Sequence, residues 1–108
     1  MREVEYENEI GEGIFIRVRF QRERKKIQLF TVQLERVFAS ERHIIIRYDN
    51  SHGFAHSDTI RPGQPETKIE LNLELNHAFT FAQRDINQNW KFYCERYEQW
   101  LNESKNKN

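Results

Sequence analysis

The sequence predicts an α+β fold, in which an antiparallel β-meander of about four strands is covered on one face by a long C-terminal α-helix. Two patterns indicate this fold. Up to residue 75, short segments alternate apolar and polar side chains, as strands with one buried face do. Residues 76–104 contain neither Gly nor Pro, and their apolar side chains recur every three or four positions, as on the buried face of a helix. Strands followed by a helix, without βαβ alternation, favour the α+β class.

Four segments are predicted to form the strands. Residues 14–20 alternate strictly between apolar and other side chains. Residues 27–38 change phase near Leu29, which indicates a β-bulge, although a helix also fits this segment. Residues 43–48 contain three consecutive isoleucines, as in a strand covered on both faces. Residues 69–75 alternate again and complete the sheet.

The predicted helix follows directly and begins near Asn76, which is a good N-cap residue. Weak helix formers around Asn87 make a kink there an expected feature. The whole chain, residues 1–108, is short enough to be a single domain. The polar ends, residues 1–8 and 104–108, are expected to be loose tails.

Composition and charge exclude several classes of protein. The 17 basic and 17 acidic residues cancel, so the chain is not a globally basic nucleic-acid binder. No apolar run approaches the roughly 20 residues that a membrane span needs, and the N-terminus does not resemble a signal peptide. The single cysteine, Cys94, has no partner for an internal disulfide. We therefore expect a cytoplasmic protein that does not interact with membranes.

The polar segment of residues 47–58 contains the candidate catalytic residues, because it leaves a buried strand and enters a loop. His52 and His56 lie four residues apart, and two imidazoles can act as general acid and base in metal-free RNA cleavage. Arg47 would bind the phosphate through its planar guanidinium, and Asp49 would hold one histidine in the required tautomer. Arg61 and Asp58 are the alternatives for these two roles.

Two other interpretations of the same segment remain open. His52, His56 and Asp58 include the ligand types of a metal site. Their spacing matches no metal signature, so no cofactor is expected. Residues 49–51 could also form a simple turn through hydrogen bonds from side chain to backbone.

A basic segment and an aromatic helix face are candidate binding surfaces. The basic segment predicts contacts with an RNA backbone, or else a charged hairpin that prevents edge-to-edge aggregation. The aromatic face of the helix belongs to the core or to a contact with a partner protein or a second copy of the chain. Cys94 is interpreted as structural, not as a nucleophile. The basic side chains are Arg17, Arg19, Arg22, Arg24, Lys25 and Lys26, which are interrupted by one acid, Glu23.

The run Arg47-Tyr48-Asp49-Asn50, followed by His52 and His56 and then by a helix rich in aromatics, resembles the small TumE-type toxins of bacterial and archaeal toxin–antitoxin pairs. It is also similar to a broader group of uncharacterised small proteins with Arg-Tyr-Asp, His-Gly and His-x-Asp runs. The resemblance implies an intracellular toxin that acts on RNA and is neutralised by an antitoxin protein. It carries over to Arg47, Asp49, His52 and His56, although the toxins are expected to space their histidines as His-x-His.

The sequence therefore leads to two hypotheses of different classes. The first is a toxin-like, metal-independent ribonuclease that uses the histidine pair. The second is a non-enzymatic module that binds nucleic acid or protein through the basic hairpin or the helix.

Overall fold

The computed structural model describes residues 1–106, and within them it shows one antiparallel sheet followed by one helix. The strands pair in chain order, each with the next, so the sheet is an uninterrupted meander. The predicted α+β class, meander and long C-terminal helix are confirmed. The elements are β1 (Arg2–Gly11), β2 (Ile14–Glu23), β3 (Lys26–Phe38), β4 (Glu41–Asp49), β5 (His56–Thr59), β6 (Thr67–Glu70) and α1 (Leu75–Lys105).

Helix α1 packs on one face of the sheet, mainly against β3 and β4. Alternate residues of the strands point toward it, and each large apolar side chain buried there contributes roughly 1.5–3 kcal/mol. Among residues 1–106, no helix combines the length and the apolar character that crossing a membrane requires. The core includes Ile14, Ile16, Val18, Phe30, Val32, Leu34, Ile46, Ala78, Ala82 and Ile86.

Two bulges explain the irregular patterns of β3 and β4. Gln21 pairs with Leu29 and Arg22 with Ile27, so one extra residue interrupts β3, close to where the sequence predicted the phase change. The helical alternative for this segment is wrong. A second register shift lies opposite β3 and leaves Ile45 as the extra residue of β4. This bulge lets neighbouring isoleucines both be buried, so their run does not require a sheet covered on both faces.

The structure corrects the ends and the strand count. Residues 1–8 do not form a loose tail, because residues 2–11 pair with β2 as a full edge strand. Strand β5 was not predicted, and the predicted strand at residues 69–75 is replaced by the shorter and earlier β6. The helix is continuous, without the expected break near Asn87. It extends through Ser104, the first residue of the second expected tail, and residues 107–108 of that tail lie outside the described residues. Its N-cap is Glu74 and not Asn76.

Two asparagines satisfy the backbone groups that the β3 bulge leaves unpaired. Asn50, just after β4, accepts a hydrogen bond from the Phe30 N–H at 2.9 Å and donates one to the Gln28 carbonyl at 3.1 Å. Asn76, in the first turn of α1, makes the same pair of contacts with the Ile27 N–H at 2.9 Å and the Lys25 carbonyl at 2.8 Å. The loop after β4 and the start of α1 are therefore both fixed to the β2–β3 hairpin.

We expect Asn50→Ala to lower the free energy of unfolding by about 1–3 kcal/mol, because the buried Phe30 N–H loses its acceptor. Urea unfolding followed by circular dichroism measures this change. Gln99→Ala, at an exposed helix position, is the control and should shift stability by no more than about 0.5 kcal/mol. Equal midpoints for the two variants would contradict the role given to Asn50.

A polar contact also joins the helix to the sheet. The Tyr48 hydroxyl on β4 donates to Asp85 of α1 at 2.5 Å, and the Tyr93 hydroxyl donates to the same oxygen at 2.7 Å. Burial and the neighbouring Asp85 carboxylate raise the pKa of Tyr48, and they raise the pKa of Tyr93 to about 12. Both phenols therefore stay protonated well above neutral pH and keep donating to Asp85.

The raised pKa of Tyr93 predicts a loss of stability at alkaline pH. Below pH about 10 the phenol is protonated in the folded and the unfolded chain; between there and about 12 only the unfolded chain releases the proton. The free energy of unfolding should therefore fall as pH rises through this window. Denaturant unfolding of Tyr93→Phe at several pH values should show a shallower fall than wild type, and an equal slope in the two proteins would contradict the prediction.

Candidate functional site

The candidate site lies on the face of the sheet opposite α1. In this register Arg47 pairs with Asp58, and Asp58 pairs with Lys68 on the next strand. Asp49 pairs with His56 in the same way. Directly paired residues of antiparallel strands point to the same face, so these side chains converge. Tyr48 lies between Arg47 and Asp49 on β4 and points to the helix. Because side chains alternate along a strand, the cluster lies on the other face of the sheet.

His56 is at the centre of the cluster and is completely buried. Its Nδ1 lies 3.3 Å from the Phe54 carbonyl oxygen, which only accepts, so this nitrogen carries the proton in that hydrogen bond. Its Nε2 lies 2.9 Å from Asp49 Oδ1, 3.5 Å from Asp58 Oδ2 and 3.0 Å from Lys68 Nζ. Both ring nitrogens are therefore engaged inside the protein.

Two cations balance the buried carboxylates of the cluster. Arg47 lies 3.4 Å from Asp49, 3.5 Å from Asp58 and 3.4 Å from Glu66. Lys68 Nζ lies 2.9 Å from Asp58 Oδ1. Buried charges are stable only when paired, so these contacts offset the desolvation of the two aspartates.

His52 belongs to the same cluster but faces solvent. Its ring stacks on that of His56, with centroids 5.7 Å apart. Gly53 makes this possible, because its φ of +90° belongs to the region that favours glycine, and its N–H closes a turn on the Asn50 carbonyl at 2.9 Å. The structure thus brings together the four predicted catalytic residues, but only one of the two imidazoles is open to a substrate. His56 is buried, and the acid–base role that the spacing predicted for the two histidines stays a prediction.

The metal-ligand set also differs from the predicted one. Asp49, His56 and Asp58 each offer a ligand atom, and these atoms all lie within 4.8 Å of one another. Asp49 takes the place that the sequence hypothesis gave to His52. The difference follows from strand pairing, which aligns Asp49 and not His52 with His56.

Neighbouring acidic side chains neutralise one part of the basic segment but not the other. Arg17 contacts Glu7 and Glu35, and Arg19 contacts Glu3 and Glu5, so acids of neighbouring strands neutralise these two arginines. At the hairpin end the basic side chains have no carboxylate within ion-pair distance among residues 1–106. This end, which we call the hairpin tip, comprises Arg22, Arg24, Lys25 and Lys26.

Arg61 lies away from the cluster. It contacts Glu103 near the end of α1 at 3.6 Å and stacks on Trp100. The structure therefore does not bring Arg61 together with the other predicted site residues, and its predicted phosphate contact stays a prediction. Cys94 is buried, and burial raises the pKa of its thiol to about 11, so it lacks the thiolate of a nucleophile at neutral pH.

A family model described as "Domain of unknown function (DUF7718)" matches residues 1–103. The chain belongs to this family. The DUF7718 match includes all six strands and nearly all of the helix, so the sheet face with the cluster lies within the family domain. No curated protein and no solved structure gives a significant match to the chain.

Two residues of the cluster were missed at the sequence level. Lys68 and Glu66 come from β6 and the loop before it, and only the β5–β6 register shows that they reach Asp58 and Arg47. The sequence does indicate that Lys68 faces away from the core, because Lys68 alternates with the apolar residues of the predicted fourth strand. The sequence does not show which strand lies beside it.

We expect Asp58→Asn to lower the free energy of unfolding by roughly 2–4 kcal/mol, because Arg47 loses a buried carboxylate and Lys68 loses its ion pair. Glu66→Gln removes an exposed carboxylate from the same Arg47 and should cost less than about 1 kcal/mol. Chemical denaturation of both variants measures the difference. Equal losses would mean that the buried contact contributes no more than a surface ion pair.

Proposed function

We propose that the chain is a metal-independent ribonuclease in which His52 transfers the proton and His56 positions it. The observation that carries this proposal is the stacking of an exposed imidazole on a buried one that carboxylates hold in place. A solvent-facing base with a fixed orientation, next to cations, is the minimum that RNA transesterification requires.

His52 acts as the general base on the ribose 2′-hydroxyl. The resulting 2′-oxygen attacks the adjacent phosphorus, the bond to the 5′-oxygen breaks, and a 2′,3′-cyclic phosphate forms. The 5′-oxygen takes up a proton from solvent or from the ammonium of Lys68. His56 touches no substrate and is a positioning residue, because its ring packs against that of His52 and its own nitrogens bind Phe54 and Asp49.

Lys68 takes over the phosphate contact that the sequence assigned to Arg47. The Lys68 side chain is 42% exposed and has one carboxylate partner, whereas Arg47 is held by three. A flexible lysine can turn toward a phosphate with the loss of a single ion pair. Arg47 keeps the aspartates in position instead.

The hairpin tip would hold the RNA backbone. Asn50 bonds the start of β3 and follows β4 directly, so it links the tip to the loop that carries His52. Contacts of this kind are sequence-independent and weaken as salt rises. The resemblance to TumE-type toxins supports an antitoxin protein as the partner that blocks this activity.

The test is cleavage of an end-labelled RNA pool by the purified protein, with and without EDTA. Cleavage should survive EDTA, leave 2′,3′-cyclic phosphate ends, and fall roughly 10²–10⁴-fold in His52→Ala. His77→Ala is the matched control, because His77 is an exposed histidine of the first helical turn, remote from the cluster in the sequence. Unchanged cleavage in His52→Ala, or cleavage lost to EDTA, would refute the proposal.

The hairpin tip, whose basic side chains have no carboxylate within ion-pair distance among residues 1–106, favours a second candidate, a non-enzymatic RNA-binding module. Retention of RNA at low salt without cleavage, reduced when Lys25 and Lys26 are changed to alanine, would select this candidate. Substitution of His52 would then leave binding unchanged.

A further inference from the structure

We infer that Asp49, His56 and Asp58 form a binding site for a divalent transition-metal ion, and that the ammonium of Lys68 competes with the ion for its position. This inference does not depend on ribonuclease activity. It rests on the distances between the ligand atoms, on what surrounds each ligand, and on one buried oxygen of Asp58.

The ligand atoms have the spacing that a small ion requires. His56 Nε2 lies 2.9 Å from Asp49 Oδ1 and 3.5 Å from Asp58 Oδ2. In a tetrahedral zinc site with bonds of about 2.0–2.1 Å, neighbouring ligand atoms are about 3.3 Å apart. All three ligand atoms lie within 4.8 Å of one another, so small side-chain shifts would let them share one ion, with one coordination position left for water or a ligand.

The surroundings of the ligands hold them in place, and the Arg47 guanidinium also lies 3.4 Å from Asp49 and 3.5 Å from Asp58. His56 donates its Nδ1 proton to the Phe54 carbonyl, and its Nε2 points at the two carboxylates, so an ion bound there takes the place of the Nε2 proton. Asp49 Oδ1 accepts from the Ser51 N–H at 3.2 Å and from its hydroxyl at 3.1 Å, which fixes the carboxylate. Fixed and buried ligands lose little entropy when they bind an ion.

Asp58 supplies an independent observation. Its side chain is only 2% exposed, and within residues 1–106 its Oδ1 has no polar partner other than the ammonium of Lys68. Its near neighbour is Lys68 Nζ at 2.9 Å, and the same Nζ lies 3.0 Å from His56 Nε2. The positive charge of Lys68 therefore lies where two of the three ligands converge. A buried carboxylate oxygen whose partner is an exposed lysine, beside an imidazole nitrogen, is an arrangement in which a metal ion can replace the ammonium.

The three ligands and Lys68 differ in how firmly they are held. Asp49, His56 and Asp58 lie on paired strands and are buried, whereas Lys68 is on the short edge strand β6 and is 42% exposed. Displacement of Lys68 into solvent is therefore easy, and the charge of the incoming ion replaces its own. One imidazole and two carboxylates suit Zn²⁺ or Mn²⁺ better than Mg²⁺ or Ca²⁺, which prefer oxygen ligands alone.

The test is calorimetric titration of the tag-free chain with Zn²⁺, in wild type and three variants. Lys68→Met should bind Zn²⁺ at least about tenfold more tightly than wild type, because the competing ammonium is absent. His56→Asn, which keeps both carboxylates, should bind at least about tenfold more weakly. Lys105→Met, in the last helical turn, should bind as wild type does.

Three outcomes would overturn the inference. The first is that neither wild type nor Lys68→Met binds Zn²⁺ saturably. The second is that these two proteins bind Zn²⁺ with equal affinity. The third is that a folded His56→Asn binds Zn²⁺ as tightly as wild type does. Binding is measured without RNA, so the inference stands or falls separately from the proposed ribonuclease.

Discussion

The antiparallel pairing of β4, β5 and β6 is the constraint on which the candidate site depends. It aligns Arg47 with Asp58 and Lys68, and it places Asp49 opposite His56. Because side chains alternate between the faces of a sheet, a slip of one residue in β5 would turn His56 and Asp58 toward the apolar face under α1. Burial of these two groups without polar partners would cost free energy. The ion pairs of the cluster therefore favour the observed register over a slipped one.

The 17 basic and 17 acidic side chains are distributed unevenly over the chain. This distribution decides which basic side chains are free to bind a phosphate. Strand β1 carries an acid at every second position, and its acids neutralise Arg17 and Arg19 on the neighbouring strand. The same pairing explains why residues 1–8 form an edge strand despite their polar sequence: ion pairs with β2 add to the backbone hydrogen bonds. The count of basic residues in the segment therefore overstates the surface that could bind RNA.

The fold class could be predicted because strand and helix periodicities are properties of short segments. Strand β5 could not, since its residues His-Ser-Asp-Thr include no apolar side chain and their burial comes from pairing with β4. The kink expected near Asn87 is absent, and the Asn87 side-chain amide donates to the Gln83 carbonyl at 2.8 Å within the continuous helix. For the site, turn formers and histidines identified the loop, but the exchange of His52 for Asp49 depends on register, which no local pattern contains.

Charge balance makes Lys68 the residue on which both proposals depend. Asp49 and Asp58 are two buried negative charges, and Arg47 supplies one positive charge from a position fixed by three carboxylates. The second positive charge comes from Lys68, the more exposed of the two cations. A phosphate that attracts Lys68 weakens the compensation of Asp58, whereas a metal ion replaces it. Binding of a metal ion and contact of Lys68 with a phosphate are therefore compatible, because the ion supplies to Asp58 the positive charge that Lys68 withdraws.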